Sequence, residues 1–183
     1  SEAVNVFLKK GIRTLVTAPI HKESCHLAGF PYKGHTDFIA SFFGHKPHRM
    51  MFYSDSVRLA LVSHHMALSE AVHTLDGAEI LETILIAREL MKKWGIRKPL
   101  ILVSGLNPHA GENGAFGREE LDIILPAIQK ARKKGVEVMG PFPPDTVFRH
   151  ALSEPRSMVV SMTHDLGLAP FKLLAFESGV NIT

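Results

Sequence analysis

Eleven of the 183 residues are histidine, the side chain most used near neutral pH as a metal ligand or proton carrier. Three apolar runs that read as strands each lead directly into polar residues containing histidine. Residues 59–62 run into Ser63-His64-His65. Residues 100–103 run into Ser104-Gly105-Leu106-Asn107-Pro108-His109-Ala110-Gly111-Glu112. Residues 158–162 run into Thr163-His164-Asp165 and then Gly167. In an open α/β sheet such ends can lie side by side over one crevice. Three imidazoles with an open fourth position have the composition of a catalytic zinc site, and cobalt or another divalent ion also suits imidazole. Such an ion acts as a Lewis acid on a hydroxyl or carbonyl oxygen. A histidine at one strand end also has a plain structural reading, a ring hydrogen-bonded to backbone. Matching positions at three ends, with Gly and Asn around them, favour the site. Alternation along an extended chain lets only one of His64 and His65 face it, and spacing does not say which.

Other groups could bind a substrate. Gly34-His35-Thr36-Asp37 stands at an expected helix start, where free amides with the Thr36 hydroxyl and His35 suit a phosphate or carboxylate; a capped helix explains the same residues. Lys172 follows His164 by eight residues on or near a helix, and would otherwise be solvated surface. Asp145, after Pro143-Pro144, reads most simply as an N-cap. No Gly-x-Gly-x-x-Gly or Walker-type loop occurs, so a Rossmann or P-loop nucleotide site has no support.

The elements that must position these groups follow from periodicity and punctuation. Residues 13–18 read as a short buried strand ended by Pro19. Helices are expected over 21–28, closed by Gly29, and over 36–43, ending at Gly44. Residues 49–53 and 57–62 are β-rich runs around the turn-like Ser54-Asp55-Ser56. A helix is expected over 77–94: Asp76 and Glu79 have the spacing of a capping box, Ile80, Ile84, Ala87, Met91 and Trp94 form one stripe, and Gly95 suits the left-handed cap. A strand follows over 99–104. A second helix covers 118–134, with Pro126 expected to kink it. Strands at 136–139 and 157–162 and helices at 145–151 and 168–175 complete the pattern. Strands with continuous apolar character alternating with helices imply an α/β fold, a mixed, mostly parallel sheet covered on both faces.

Composition narrows the function classes. Apolar residues are 45% and charged residues 21%, ordinary for a globular protein. No apolar run approaches the ~18 residues of a membrane helix, and no signal segment is visible, so no membrane partner is expected. One cysteine, Cys25, excludes an internal disulfide framework. The net charge of +3 is spread along the chain. The basic run Lys130-Ala131-Arg132-Lys133-Lys134 fits a helix C-terminus and lacks the interleaved aromatics of a nucleic-acid surface; no nucleic acid is expected.

Taken together, Thr17-Ala18-Pro19-Ile20-His21-Lys22, Gly34-His35-Thr36-Asp37, Gly105-Leu106-Asn107-Pro108-His109-Ala110-Gly111-Glu112, Pro144-Asp145-Thr146 and His164-Asp165-Leu166-Gly167 through Lys172 to Gly179-Val180-Asn181-Ile182-Thr183 resemble the PdxA family, the 4-hydroxythreonine-4-phosphate dehydrogenases, over essentially the whole chain. The resemblance implies a three-layer α/β/α fold like that of isocitrate and isopropylmalate dehydrogenases. It implies NAD and a divalent metal (zinc, alternatively magnesium or cobalt) as cofactors. The implied reaction is oxidation and decarboxylation of 4-phosphooxy-L-threonine to 3-amino-2-oxopropyl phosphate in pyridoxal 5′-phosphate (vitamin B6) biosynthesis. The family's metal ligands match His65, His109 and His164, and this selects His65 over His64. The resemblance also implies a homodimer with the metal site shared across its interface, His164 coming from the other copy. Substrate-binding positions match His35, Thr36, Lys172 and Asn181. Lys172 and Asp145 are the candidate catalytic residues, Asp145 the weaker match. A cytoplasmic location is expected, and the single cysteine agrees with it.

Some positions depart from the family pattern: Ala67 stands for a usual Pro, Leu166 for a common Gln and Asp37 for a frequent Glu. Relatives act on phosphorylated sugar acids (threonate or erythronate 4-phosphate) and on dihydrodiols, and these remain alternatives. So do a metal-dependent hydrolase, with Asp165 helping to activate water, and an inactive dimeric metal-binding fragment. Family chains are longer at both ends. Residues 1–183 are therefore expected to be the central substrate- and metal-binding domain, with part of the interdomain cleft, of a two-domain enzyme.

Overall fold

A computed structural model describes residues 2–10, 14–32, 34–44 and 47–183. The chain divides into two compact units, Ser1–His48 and Arg49–Thr183.

Among the described residues the first unit holds three helices, α1 (Glu2–Lys10), α2 (Lys22–Leu27) and α3 (His35–Phe42). Sequence reasoning placed α2 and α3 within a residue or so of their ends but did not anticipate α1. His21 caps α2: its ring nitrogen accepts from the Ser24 backbone N–H at 3.2 Å. Phe38, at the middle of α3, packs edge-on against Phe42 and lies beside Phe30 and Tyr32, with centroids 5.2–5.4 Å apart. The strand expected over 13–18 does not form at 14–18, and Arg13 lies outside the described residues. Val16 there is 87% exposed. An apolar run becomes a strand only when another strand offers its hydrogen-bonding groups, and no strand occurs among the described residues of this unit.

The second unit is a six-stranded sheet in the order β4-β3-β5-β2-β1-β6. Its strands are β1 (Met51–Tyr53), β2 (Arg58–Leu61), β3 (Leu100–Ser104), β4 (Glu137–Phe142), β5 (Ser157–Ser161) and β6 (Val180–Ile182). Strands β4, β3, β5 and β2 are mutually parallel. β1 returns antiparallel to β2 through the turn at 54–57, and β6 pairs antiparallel with β1. Helices α4 (Leu68–His73), α5 (Gly77–Lys93), α6 (Leu125–Lys133), α7 (Val147–Ser153) and α8 (His164–Ala175) complete it.

Two cores lie on the two faces of the sheet. Ile101, Val103, Val160 and Ala60 meet Ile80, Ile84, Ala87 and Met91 of α5 and Ala127 and Ile128 of α6. Leu100, Leu102, Val159, Leu59 and Leu61 meet Val147 and Phe148 of α7 and Leu168 and Phe171 of α8. Neighbouring residues of β3 thus feed opposite cores, as the two-residue repeat of a strand requires. This is the expected three-layer α/β/α arrangement. Burying each large side chain contributes about 1.5–3 kcal/mol. Among the described residues no helix is long and apolar enough to cross a membrane.

Several local expectations change. Asp76 occupies the N-cap of α5 but makes no side-chain cap bond; Glu79 instead pairs with Arg49, which also reaches Glu82 and the Thr83 hydroxyl. The run expected as one helix over 118–134 is continuous from 119 to 133 but irregular: a π-turn over Glu120–Ile124 directly precedes α6, whose first turn carries Pro126, a proline's missing N–H and a π-turn being linked causes of helix distortion. Asp145 is exposed and caps nothing in α7, whose N-cap is Thr146. Helix α8 begins at His164, four residues earlier than expected, and carries Pro170 within it.

Candidate active site

Strands β3, β5 and β2 are adjacent and parallel, so their C-terminal ends lie side by side on one edge of the sheet. The three histidine-bearing segments leave from these ends. Beyond β2, Val62 N–H donates to the Ser161 carbonyl at 2.9 Å, and Ser63 donates to the Met162 carbonyl through both its N–H, at 3.2 Å, and its hydroxyl, at 2.7 Å. These bonds stitch the segment after β2 to the segment after β5.

The chain then turns sharply. His65 has φ +52°, a left-handed conformation that few side chains adopt without cost. Its exposed ring lies 6.3 Å, centroid to centroid, from that of His164, the first residue of α8. His164 Nδ1 is 2.7 Å from Asp165 Oδ1. With the proton on Nδ1, facing the carboxylate, Nε2 carries the lone pair, the form of imidazole that binds a metal. His64 lies edge-on to His65 at 5.2 Å.

His109 sits in a different environment. Residues His109, Ala110, Gly111, Glu112 and Asn113 all have positive φ, between +42° and +77°, and form a left-handed turn within Pro108–Gly114. Four of the five carry a Cβ, and each such residue costs roughly 1 kcal/mol or more in this region. The turn is mostly exposed, and the His109 ring lies 6.1 Å from that of Phe116. Among the described residues no group of three His, Cys, Asp or Glu is gathered closely enough in one chain to hold a metal ion. The structure therefore brings His65 and His164 together, and His109 does not close a triad with them in one chain. The donor chemistry suits a divalent ion.

Sequence reasoning missed the group that holds this turn. Glu120, within the helix expected over 118–134, is 3% exposed. Its Oε1 accepts the backbone N–H groups of Leu106 and Asn107 at 2.8 and 2.7 Å, and its Oε2 accepts the Asn107 side-chain amide at 2.9 Å. Glu119 takes the same amide nitrogen at 2.7 Å. Its own backbone N–H, and then the Asn107 amide, hold the Glu119 carboxyl below the usual carboxylate range. The available signal was the recurrence of Gly105, Gly111 and Gly117 around one Asn, a loop that leaves space for something to enter it.

The other expected site residues are spread out. Lys172 and Asn181 are exposed, on α8 and β6 respectively; Asn181 is opposite Phe52 of β1. Eight residues of helix separate His164 from Lys172, about 12 Å along the axis. His35 and Thr36 form the first turn of α3 in the first unit.

The model of the family described as pyridoxal phosphate biosynthetic protein PdxA matches residues 1–183. The chain is 46% identical to a D-threonate 4-phosphate dehydrogenase of Salmonella typhimurium, over 99% of its own length and 55% of the relative's. It is 47% identical to a 4-hydroxythreonine-4-phosphate dehydrogenase of Desulforapulum autotrophicum, over 98% of its own length and 53% of the relative's. A crystal structure of a 4-hydroxythreonine-4-phosphate dehydrogenase from Klebsiella pneumoniae superimposes with a TM-score of 0.91 at 39% identity, covering 98% of this chain and 56% of that one. The chain thus spans about half the length of the curated relatives it matches.

Proposed function

The chain belongs to the PdxA family, and from that premise we propose that the whole protein is an NAD-dependent dehydrogenase of a 4-phosphorylated 3-hydroxy acid. The preferred substrate is 4-phosphooxy-L-threonine, oxidised at the secondary alcohol and then decarboxylated to 3-amino-2-oxopropyl phosphate on a route to pyridoxal 5′-phosphate. The observation that carries this reading is that His65, His109 and His164 follow the C-terminal ends of three neighbouring parallel strands, on one edge of the sheet.

His65, His109 and His164 would hold a divalent ion, with His164 of a second copy completing the set in a homodimer. Such an ion would supply Lewis-acid polarisation of a substrate oxygen. Asp165 keeps the His164 ring in one orientation, with its proton on Nδ1. Lys172 offers an ammonium to the phosphate or carboxylate. Asn181 offers an amide donor from the rim of the sheet, and His35 and Thr36 a hydroxyl, a ring nitrogen and helix-start amides for a charged end of the substrate. Asp145 is a weaker candidate for proton transfer at the same edge of the sheet. A cytoplasmic setting suits this chemistry.

A second substrate has specific support. A relative named D-threonate 4-phosphate dehydrogenase matches at 46% identity, almost the same as the 47% of a 4-hydroxythreonine-4-phosphate enzyme. The two substrates share the phosphate, the reacting hydroxyl and the carboxylate, and differ in carrying an amine or a hydroxyl at C2. The test is NADH formation at 340 nm by the intact protein with each substrate, before and after chelation and zinc replacement. Turnover of 4-phosphooxy-L-threonine, lost on chelation and restored by zinc, is the expected result. Turnover of D-threonate 4-phosphate alone selects the second substrate. Hydrolysis without NADH formation overturns both.

A further inference from the structure

We infer that Glu120 is a positioning residue for His109, its buried carboxylate being the anchor about which the left-handed turn is wound. This rests on the proposed role of His109 as a metal ligand.

Backbone bonds inside the turn run from Ala110 N–H to the Asn107 carbonyl and from Phe116 N–H to the Gly111 carbonyl, both at 3.1 Å. The turn's residues are mostly exposed, so apolar packing does not fix their course. The segment that enters it is instead fastened by the three N–H groups gathered on Glu120, two from the backbone of Leu106 and Asn107 and one from the Asn107 side chain. Those two peptides immediately precede Pro108 and His109, so their orientation sets the direction in which the turn starts. An ionised carboxylate is suited to this because it is acceptor-only at both oxygens. A glutamine there would turn a donor toward one of the three donors.

The loop is also moulded to that carboxylate. A Cβ on Gly105 would lie 3.0 Å from Oε1, and one on Gly111 would lie 2.6 Å from Oε2. A Cβ on Gly117 would meet the Asn107 amide nitrogen at 2.5 Å. Three glycines therefore wrap one side-chain assembly, Gly111 and Gly117 leaving no room for a Cβ without a shift and Gly105 only a tight fit. Glu120 reaches it from the π-turn, whose wide hydrogen bond runs from Leu125 N–H to the Glu120 carbonyl. Such turns recur at functional sites.

The experiment is a cobalt(II) titration of the intact protein, followed by the visible d–d bands and by competition with a chromophoric chelator, beside thermal melting. The variants are Glu120→Gln, Glu120→Asp, Gly111→Ala, His109→Ala and, as a control for general destabilisation, the remote core variant Ile84→Ala. Glu120→Gln and Gly111→Ala are expected to weaken cobalt binding about 10–100-fold, the range typical of losing a ligand's supporting partner. Glu120→Asp, still acceptor-only but one methylene shorter, falls between them and the parent. Ile84→Ala lowers the melting temperature without changing cobalt affinity. If His109→Ala binds cobalt like the parent, the metal reading of His109 fails. If His109→Ala loses cobalt while Glu120→Gln stays within about twofold of the parent, the inference about Glu120 is overturned. It is equally overturned if Ile84→Ala weakens binding as much as Glu120→Gln does. Should Glu120→Gln not fold, Gly111→Ala decides on the same criterion.

Discussion

The rings of His65 and His164 stand with their centroids 6.3 Å apart and their planes tilted by 38°, each on a segment leaving the end of a different parallel strand. Ser63 fixes that spacing by binding the Met162 carbonyl through its N–H and its hydroxyl. The pair therefore inherits the rigidity of the sheet, although both rings lie beyond its last hydrogen-bonded residues.

If His65 and His164 are both ligands of a divalent ion shared between two copies, either His65→Ala or His164→Ala weakens zinc binding by more than about 100-fold. Asp165→Asn is milder, about 10-fold, because Asp165 only orients the ring. Calorimetric zinc titration of the intact protein checks the order. Equal affinities for all three variants and the parent would remove the metal from these residues.

Lys172→Ala is expected to raise KM for the phosphorylated substrate about 10–100-fold, the loss of one charge-assisted hydrogen bond, with kcat changed little. That split marks an interaction made equally in the ground and transition states. A fall in kcat at unchanged KM would make Lys172 a participant in proton transfer instead.

Gly167, three residues after His164, lies against the sheet. A Cβ there would stand 2.8 Å from Leu61 Cδ2 and 3.0 Å from both Leu59 Cδ1 and Ser161 Cβ. Gly167→Ala should cost about 1–3 kcal/mol by overpacking, read as a lower denaturation midpoint at an unchanged urea slope. An unchanged midpoint would mean that α8 can lift from the sheet without penalty.

Acid sensitivity follows from two carboxylates. The Arg156 guanidinium, donating to Glu137 at 2.7 Å, lowers the Glu137 pKa, and Glu119 is lowered by its own backbone N–H and by Asn107. A carboxyl whose folded pKa lies below its unfolded value stabilises the fold above the unfolded value, near 4.3 for Glu, and that contribution is lost as pH falls through the folded pKa. Stability should therefore decline below about pH 5, and Glu137→Gln should make the decline shallower. Melting temperatures between pH 3 and pH 7 test this; parallel curves for the variant and the parent would rule Glu137 out.

Much of the architecture is legible in the sequence because local rules and global packing agree there. The stripe Ile80, Ile84, Ala87 and Met91 is fully buried, and the continuous apolar runs at 100–104 and 157–161 are interior parallel strands. The short run at 13–18 reads as a strand by the same rule, and its described part, 14–18, is not one, because strand formation depends on a partner elsewhere in the chain. Strand β6 escaped notice for the converse reason: its Val180–Ile182 is short, partly polar and largely exposed, and only the antiparallel edge of β1 makes it a strand.

The candidate site divides along the same line. Residue type and order by themselves determined that imidazoles follow three apolar strands and that a glycine-rich, Asn-containing loop carries one of them, since these depend only on neighbours along the chain. Which ring meets which, the left-handed course of 109–113 and the buried anchor at Glu120 were decided by the tertiary structure. Each depends on groups distant in sequence: a serine hydroxyl finding a carbonyl on the next strand, or a carboxylate from a π-turn gathering three N–H groups. Such meetings follow from the packed sheet and helices, and no periodicity in the sequence encodes them.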